Sequence, residues 1–137
     1  MTSDNNGESL SDEAITSALN EFREAFDNLL WERFCACFAP ECSVYLPFPD
    51  ARRLVHGKAA VEASFAPFFE QLLATVDGPP YLNLQPREVR IDRHGSMALV
   101  TFHLEFPDHF GQRTLVMVEQ QGRWLIQHLH ASNIYSE

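Results

Sequence analysis

The order in which two hydrophobic periodicities follow one another is the strongest constraint on the fold of this chain. Apolar residues recur every three or four positions from Ile15 to Leu30 and again from Val61 to Val76, as on one face of an α-helix. Beyond about Leu82 the pattern changes to short runs of β-type residues, which indicates strands. Because helices come first and strands follow together, the sequence predicts an α+β fold rather than an alternating α/β fold.

Capping residues and prolines set the expected helix boundaries. Ser9 or Ser11 would cap the first helix, and a shorter helix should run from Trp31 to Phe38. Gly57 would open a third helix, in which Pro67 should produce a kink or a break.

The strands are expected in one short run and one long series. A short strand is predicted over residues 43–48, followed by a loop over residues 50–56. Further strands over residues 82–92, 96–106, 112–120 and 123–133 should form an antiparallel meander, with tight turns at His94-Gly95 and Gln121-Gly122.

Charge argues against two classes of partner. The 137 residues carry a net charge of −9, with Lys58 as the one lysine and no run of basic residues. Non-specific binding to nucleic acid or to an anionic membrane needs a basic surface, so we expect neither partner. The N-terminus lacks the basic and apolar regions of a signal peptide, and no apolar stretch is long enough to cross a bilayer, so a cytoplasmic location is expected.

Three cysteines lie close together in the sequence, at Cys35, Cys37 and Cys42. A Cys-x-Cys pair with a third cysteine occurs in metal sites, but this spacing fits neither a zinc ribbon nor a zinc finger, and Cys35 and Cys37 would point apart on a helix. Buried structural thiols are therefore the preferred interpretation, with no metal and no cofactor.

The C-terminal segment carries a pattern that points to a family. It reads G-x-W-x-x-x-H-x-H-x-S over residues 122–132, and it resembles the end of SnoaL-like proteins in the nuclear-transport-factor-2-like superfamily. Within that superfamily it is most similar to the association domain of calcium/calmodulin-dependent protein kinase. The resemblance implies a cystatin-like roll, in which a curved antiparallel sheet wraps a long N-terminal helix as a cone with an internal pocket. Residues 11–137 would form this domain, and residues 1–10, which are polar and acidic, would be a disordered tail.

Alternation along the strands, combined with similarity to ketosteroid isomerase, predicts which side chains face the pocket. The expected pocket is mostly apolar, so a small apolar or aromatic molecule is the expected ligand, oriented by Gln127 or Arg113. Alternatively, Arg113 forms an ion pair with Glu119 or another surface acid. The predicted pocket residues are Phe22, Phe26, Leu46, Phe65, Phe69, Phe102, Leu104, Arg113, Leu115, Met117, Gln127 and Leu129.

The opposite face of the sheet is predicted to be a subunit interface, which implies a homodimer. A metal site or an acid/base relay is the alternative there, because imidazole titrates near neutral pH. A hydrogen-bonded ladder between strands or subunits is the simpler interpretation. The predicted interface residues are His103, Glu105, Trp124, Ile126, His128, His130 and Ser132.

The sequence leaves enzymatic activity as an alternative. Ketosteroid isomerase needs a carboxylate base beside an oxyanion hole, but the matching positions here are Phe22 and Leu46, with Val116 a looser match, and none of these can transfer a proton. The pocket arginines of the kinase association domain match Leu104, Leu115 and Ala131, so its anionic pocket is not expected either. His109, near the predicted pocket mouth, and His56 remain as candidate general bases.

Three functions therefore remain. The first is a small-molecule-binding SnoaL-like domain with an apolar pocket and no assigned activity. The second is a homo-oligomeric assembly module, and the third is a lyase or isomerase that uses a histidine at the pocket mouth. The superfamily hosts isomerases, dehydratases, transport factors and assembly hubs, so the fold alone does not choose among them.

Overall fold

The structure, a computed structural model, describes residues 2–48 and 50–135, with side chains from Asp12 onward. The predicted α+β class is confirmed, and so is the order of helices followed by strands. The helices are α1 (Thr2–Asp27), α2 (Trp31–Cys35) and α3 (Lys58–Thr75). The strands are β1 (Phe38–Tyr45), β2 (Val55–His56), β3 (Arg87–His94), β4 (Met97–Glu105), β5 (His109–Gln120) and β6 (Arg123–Tyr135).

Helix α1 begins earlier than the sequence predicts. Its start at Thr2 lies before both Ser9 and Ser11, within the segment expected to be a disordered tail, whose side chains are outside the described residues. Once the stripe from Ile15 onward packs, each further helical residue adds one hydrogen bond without a new nucleation step, which favours extension toward the N-terminus. Over the described part of the chain, no helix is long and apolar enough to cross a membrane.

One six-stranded sheet contains all the strands, in the order β2-β1-β6-β5-β4-β3. Strands β3 to β6 form the predicted antiparallel meander, whereas β1 runs parallel to β6. Gln121 and Gly122 both have positive φ in the β5–β6 hairpin, as a two-residue turn with the twist of a right-handed sheet requires. Strand β1 begins at Phe38 rather than at the predicted Ser43, and Pro67 lies inside α3 without ending it.

An aromatic cluster joins the helices to β1. Phe34 on α2 is 1% exposed, and its ring lies in the middle of this cluster. The centroid distance is 4.8 Å to Phe69 and 5.0 Å to both Phe26 and Phe65. Because α2 is a single short turn that would not be stable alone, this packing holds it in place.

A β-bulge in β6 changes which side chains face the helices. Val116 pairs with His128 and Met117 with Ile126, so Gln127 is an extra residue without a partner on β5. One extra residue inverts the alternation on its N-terminal side. The prediction that Trp124 and Ile126 lie in a subunit interface is therefore wrong. These residues are 7% and 0% exposed and belong to the core.

The end of α1 holds the segment that precedes β3. The backbone carbonyl of Asp27 accepts hydrogen bonds from the N–H groups of Tyr81 (2.7 Å) and Leu82 (3.1 Å), and its Oδ1 accepts one from Leu84 N–H (3.0 Å). These N–H groups are therefore not available for a strand ladder. This explains why β3 begins at Arg87 although the sequence predicts a strand from residue 82.

We expect the stability of the protein to depend on the ionisation of Asp27. Burial raises the pKa of this carboxyl above its ordinary value, so the folded state binds the proton more tightly than the unfolded state. The stabilisation of the folded state by proton binding to Asp27 is greatest at low pH and is lost as pH rises through the folded-state pKa. Urea unfolding of wild type and Asp27→Asn should therefore show that the free energy of unfolding of wild type rises relative to that of the variant as pH falls from 7 toward 4.

A second substitution at the same site separates charge from hydrogen bonding. Asp27→Ala removes the acceptor of Leu84 N–H and should cost about 1–3 kcal/mol at pH 7, whereas Asp27→Asn keeps an acceptor oxygen and should cost less. A pH-independent difference between wild type and Asp27→Asn would contradict the first expectation.

Candidate functional site

A cavity of about 340 Å³ lies between the helices and the inner face of the sheet, which is the face that packs against them. Of the predicted pocket residues, the lining includes Phe22, Phe26, Leu46, Phe65, Phe102, Leu104, Arg113 and Leu129. It further includes Pro47, Phe48, Phe68, Leu82, Leu84, Phe106, His109, Ala131, Asn133 and Tyr135.

The remaining predicted pocket residues lie elsewhere. Phe69 belongs to the aromatic cluster around Phe34, while Leu115 and Met117 are fully buried in the core. Gln127 sits at the β6 bulge, where its Nε2 donates a hydrogen bond to the carbonyl of Glu41 at 3.1 Å. The bulge therefore removes the polar group that alternation had placed in the cavity wall.

Polar side chains gather at one end of the cavity, where β5 begins and β6 ends. The register pairs His109 with Tyr135, Gly111 with Asn133, and Arg113 with Ala131. The predicted pocket omits Tyr135 because the last predicted strand ends at residue 133, and it omits Asn133, the final residue of that strand. The alternation of Leu129, Ala131, Asn133 and Tyr135 along β6 could have identified them.

Arg113 is held in a fixed position at this end. Its Nη1 donates hydrogen bonds to the carbonyl of Ser132 (2.9 Å), the carbonyl of Gln112 (3.1 Å) and Oδ1 of Asn133 (3.2 Å). Burial lowers the pKa of Arg113 from its ordinary value, because a guanidinium is less stable away from water. No ion pair joins it to Glu119 within 4.0 Å, so the alternative of that pair is not observed.

His109 lines the cavity at the start of β5, the strand that also carries Arg113. Its Nδ1 lies 2.7 Å from Oδ1 of Asp108, and its ring stacks on Phe106 with centroids 4.2 Å apart. The hydrogen bond with His109 lowers the pKa of Asp108, so the carboxylate is ionised at neutral pH. Since an ionised carboxylate accepts hydrogen bonds, Nδ1 is the donor, and in the neutral form of the ring Nε2 is then the proton acceptor.

His56, the other candidate base, is not in this site. It does not line the cavity, and its side chain is 62% exposed, with Nε2 3.8 Å from Oε2 of Glu41. The structure thus brings one of the two candidate histidines to the cavity and leaves the other on the surface.

The outer face of the sheet carries the other predicted histidines. Nδ1 of His128 lies 2.8 Å from Oγ of Ser43, and Nδ1 of His103 lies 3.3 Å from Oε2 of Glu88. His130 contacts the ring of Tyr45. Within the described ranges, no group of three or more histidines, cysteines or acids is arranged to hold a metal ion.

The three cysteines are buried thiols. Burial raises the pKa of Cys35 and of Cys37 to about 11, and it raises the pKa of Cys42 as well. Because the thiolate is the reactive form, these residues are poor nucleophiles at neutral pH. Their burial agrees with the structural role expected from the sequence.

The fold is that of the nuclear-transport-factor-2-like, or cystatin-like, class of domains. The model of the SnoaL-like domain family matches residues 15–136, which is nearly the whole chain. This protein therefore belongs to the SnoaL-like domain family. Its narrower resemblance to the kinase association domain stays a prediction. No curated protein matches the chain in sequence.

Solved structures with the same fold share little sequence with it. A candidate dehydratase of the NTF2-like family from Streptomyces avermitilis has a TM-score of 0.77 at 18% identity, covering 94% of this chain and 99% of its own. A candidate scytalone dehydratase from Novosphingobium aromaticivorans has a TM-score of 0.75 at 19% identity, covering 98% and 89%. An uncharacterised Caulobacter vibrioides protein with a cystatin-like fold has a TM-score of 0.70 at 17% identity, covering 90% and 89%. At these identities the likeness establishes the fold alone.

Proposed function

We propose that this SnoaL-like domain binds one small, largely apolar molecule in the cavity between its helices and its sheet. The cavity itself supports this, since small-molecule sites are typically concave, mostly apolar and about 300–1,000 Å³ in volume. An apolar cavity of about 150 Å³ accommodates benzene, so a cavity of about 340 Å³ has room for a one- or two-ring molecule.

A second candidate function is proton transfer, as in a lyase or an isomerase, with His109 as the general base. The favouring observation is the 2.7 Å contact between Nδ1 of His109 and Asp108, which leaves Nε2 as the acceptor of a substrate proton. Dehydratase activity, which the names of two similar structures suggest for those proteins, belongs to this class of chemistry. Such a reaction would follow binding in the same cavity.

We further propose that two copies of the chain associate through the outer face of the sheet. Met97 and Leu99 are exposed on this face and pair with Val118 and Val116 on β5. An apolar surface of this kind is favourable to bury against a second copy. The homodimer is compatible with either function of the cavity, which lies on the other face.

Filling the cavity should abolish ligand binding. Ala131 is buried in the cavity wall, and Ala131→Phe would occupy the space next to Arg113. We expect this variant to bind 2-naphthol at least about tenfold more weakly than wild type, measured by fluorescence titration, because the steric overlap removes the apolar site. Ala74→Phe, at an exposed position of α3, is the matched control and should bind like wild type. Equal binding by a folded Ala131→Phe would contradict the proposed site.

Removing the base should stop proton exchange. Compounds retained by the cavity can be tested in D₂O by NMR for exchange of an acidic C–H proton. His109→Gln should slow this exchange roughly a hundredfold or more, whereas His94→Gln, at the exposed end of β3, should not. Unchanged exchange in His109→Gln would mean that His109 is not the base.

A charge on the outer face should separate the subunits. Leu99→Lys places an ammonium in the proposed interface and should raise the dissociation constant of the dimer at least about tenfold in sedimentation velocity. Leu73→Lys, on the exposed side of α3, is the control. A wild-type monomer at micromolar concentration, or a dimer that Leu99→Lys does not weaken, would refute the association.

A further inference from the structure

We infer that Arg113 binds a carboxylate, so that the ligand of the cavity is an apolar ring compound carrying a single carboxylate group. This inference rests on the proposed binding function and adds the chemical class of the ligand. The carboxylate of the ligand would lie at the polar end of the cavity, and its ring would lie at the apolar end.

The first argument is the missing counter-charge. Arg113 lies in the cavity wall, yet among the described residues no carboxylate oxygen is within 4.0 Å of its guanidinium. A cation that is partly removed from water and lacks an anion is costly, as the lowered pKa of Arg113 also indicates. A ligand carboxylate would offset this cost.

The second argument is the orientation of the guanidinium. Its Nη1 is occupied by the carbonyl oxygens of Gln112 and Ser132 and by Asn133, which fixes the plane of the group. Within the described part of the chain, Nε and Nη2 have no hydrogen-bond partner. These two nitrogens form one edge of the planar guanidinium, and their N–H groups match the two oxygens of a carboxylate.

Gly111 makes room for this arrangement. A Cβ at residue 111 would lie 3.0 Å from Nη1 of Arg113 and 3.3 Å from both Cζ and Nη2. The guanidinium therefore lies directly over the glycine backbone, and a side chain at this position would displace it by a few tenths of an ångström.

The rest of the cavity limits the ligand to one charge. Arg113 is the single permanent cation among the described lining residues, and the far wall consists of rings such as Phe22, Phe26 and Phe65. An aromatic or alicyclic monocarboxylate fits both ends.

A matched pair of ligands tests the inference at pH 7. The probes are 2-naphthoate and 2-naphthamide, which have nearly the same shape and differ in charge, and calorimetry gives their dissociation constants. Wild type should prefer the acid by about tenfold or more, since hydrogen bonds to charged groups are the stronger ones. Arg113→Gln should remove this preference while keeping the affinity for the amide, and Gly111→Ala should reduce it. Arg93→Gln, an exposed arginine on β3, should leave the preference intact.

The outcomes separate the two proposals. If wild type binds neither probe, the proposed binding function fails. If it binds both equally, or if Arg113→Gln keeps the preference for the acid, binding stands and the role of Arg113 is refuted. Glu137→Gln is measured as well, because this acid follows Tyr135 closely in the sequence. A preference that appears in this variant alone would show that the cation already has a partner within the chain, which would also refute the inference.

Discussion

Burial of Phe34 is the packing interaction on which the cavity depends. The rings of Phe22, Phe26 and Phe65 contact Phe34 and also line the cavity, so the packing behind them fixes the position of the cavity wall. Phe34 itself lies on a one-turn helix that tertiary contacts hold in place. Closely packed aromatic side chains transmit strain rather than absorb it. The apolar end of the cavity is therefore an extension of the core.

Local patterns were sufficient for the elements of this fold but not for its inner surface. The spacing from Ile15 to Leu30 and the strand runs after Leu82 gave the class and the order of elements because periodicity is a property of neighbouring residues. The bulge at Gln127 follows from how β6 pairs with β5, and nothing in the run Leu125 to Leu129 marks it. Alternation therefore placed Leu129 correctly, on the C-terminal side of the bulge, and misplaced Gln127 in the cavity.

The polar parts of the site depend on contacts between residues that are distant in the sequence. Leu82 and Leu84 enter the cavity wall because their N–H groups are bound by Asp27, more than fifty residues earlier in the chain. Asn133 reaches Arg113 across the β5–β6 pair. Such contacts leave no periodic pattern, so the sequence could name His109 and Arg113 as candidates without revealing what holds them.

Small residues at the polar end connect the volume of the cavity with its charge. Gly111 and Ala131 lie on the inner face, and larger side chains there would fill the space beside Arg113. Filling a cavity is a common way to stabilise a protein, and the recurrent cost is a loss of function. Here apolar filling would also remove the guanidinium further from water without supplying an anion, which is less stable than the open arrangement. The space is therefore favourable only when water or a charged ligand occupies it, so the cation and the empty volume are two aspects of the binding site that we propose.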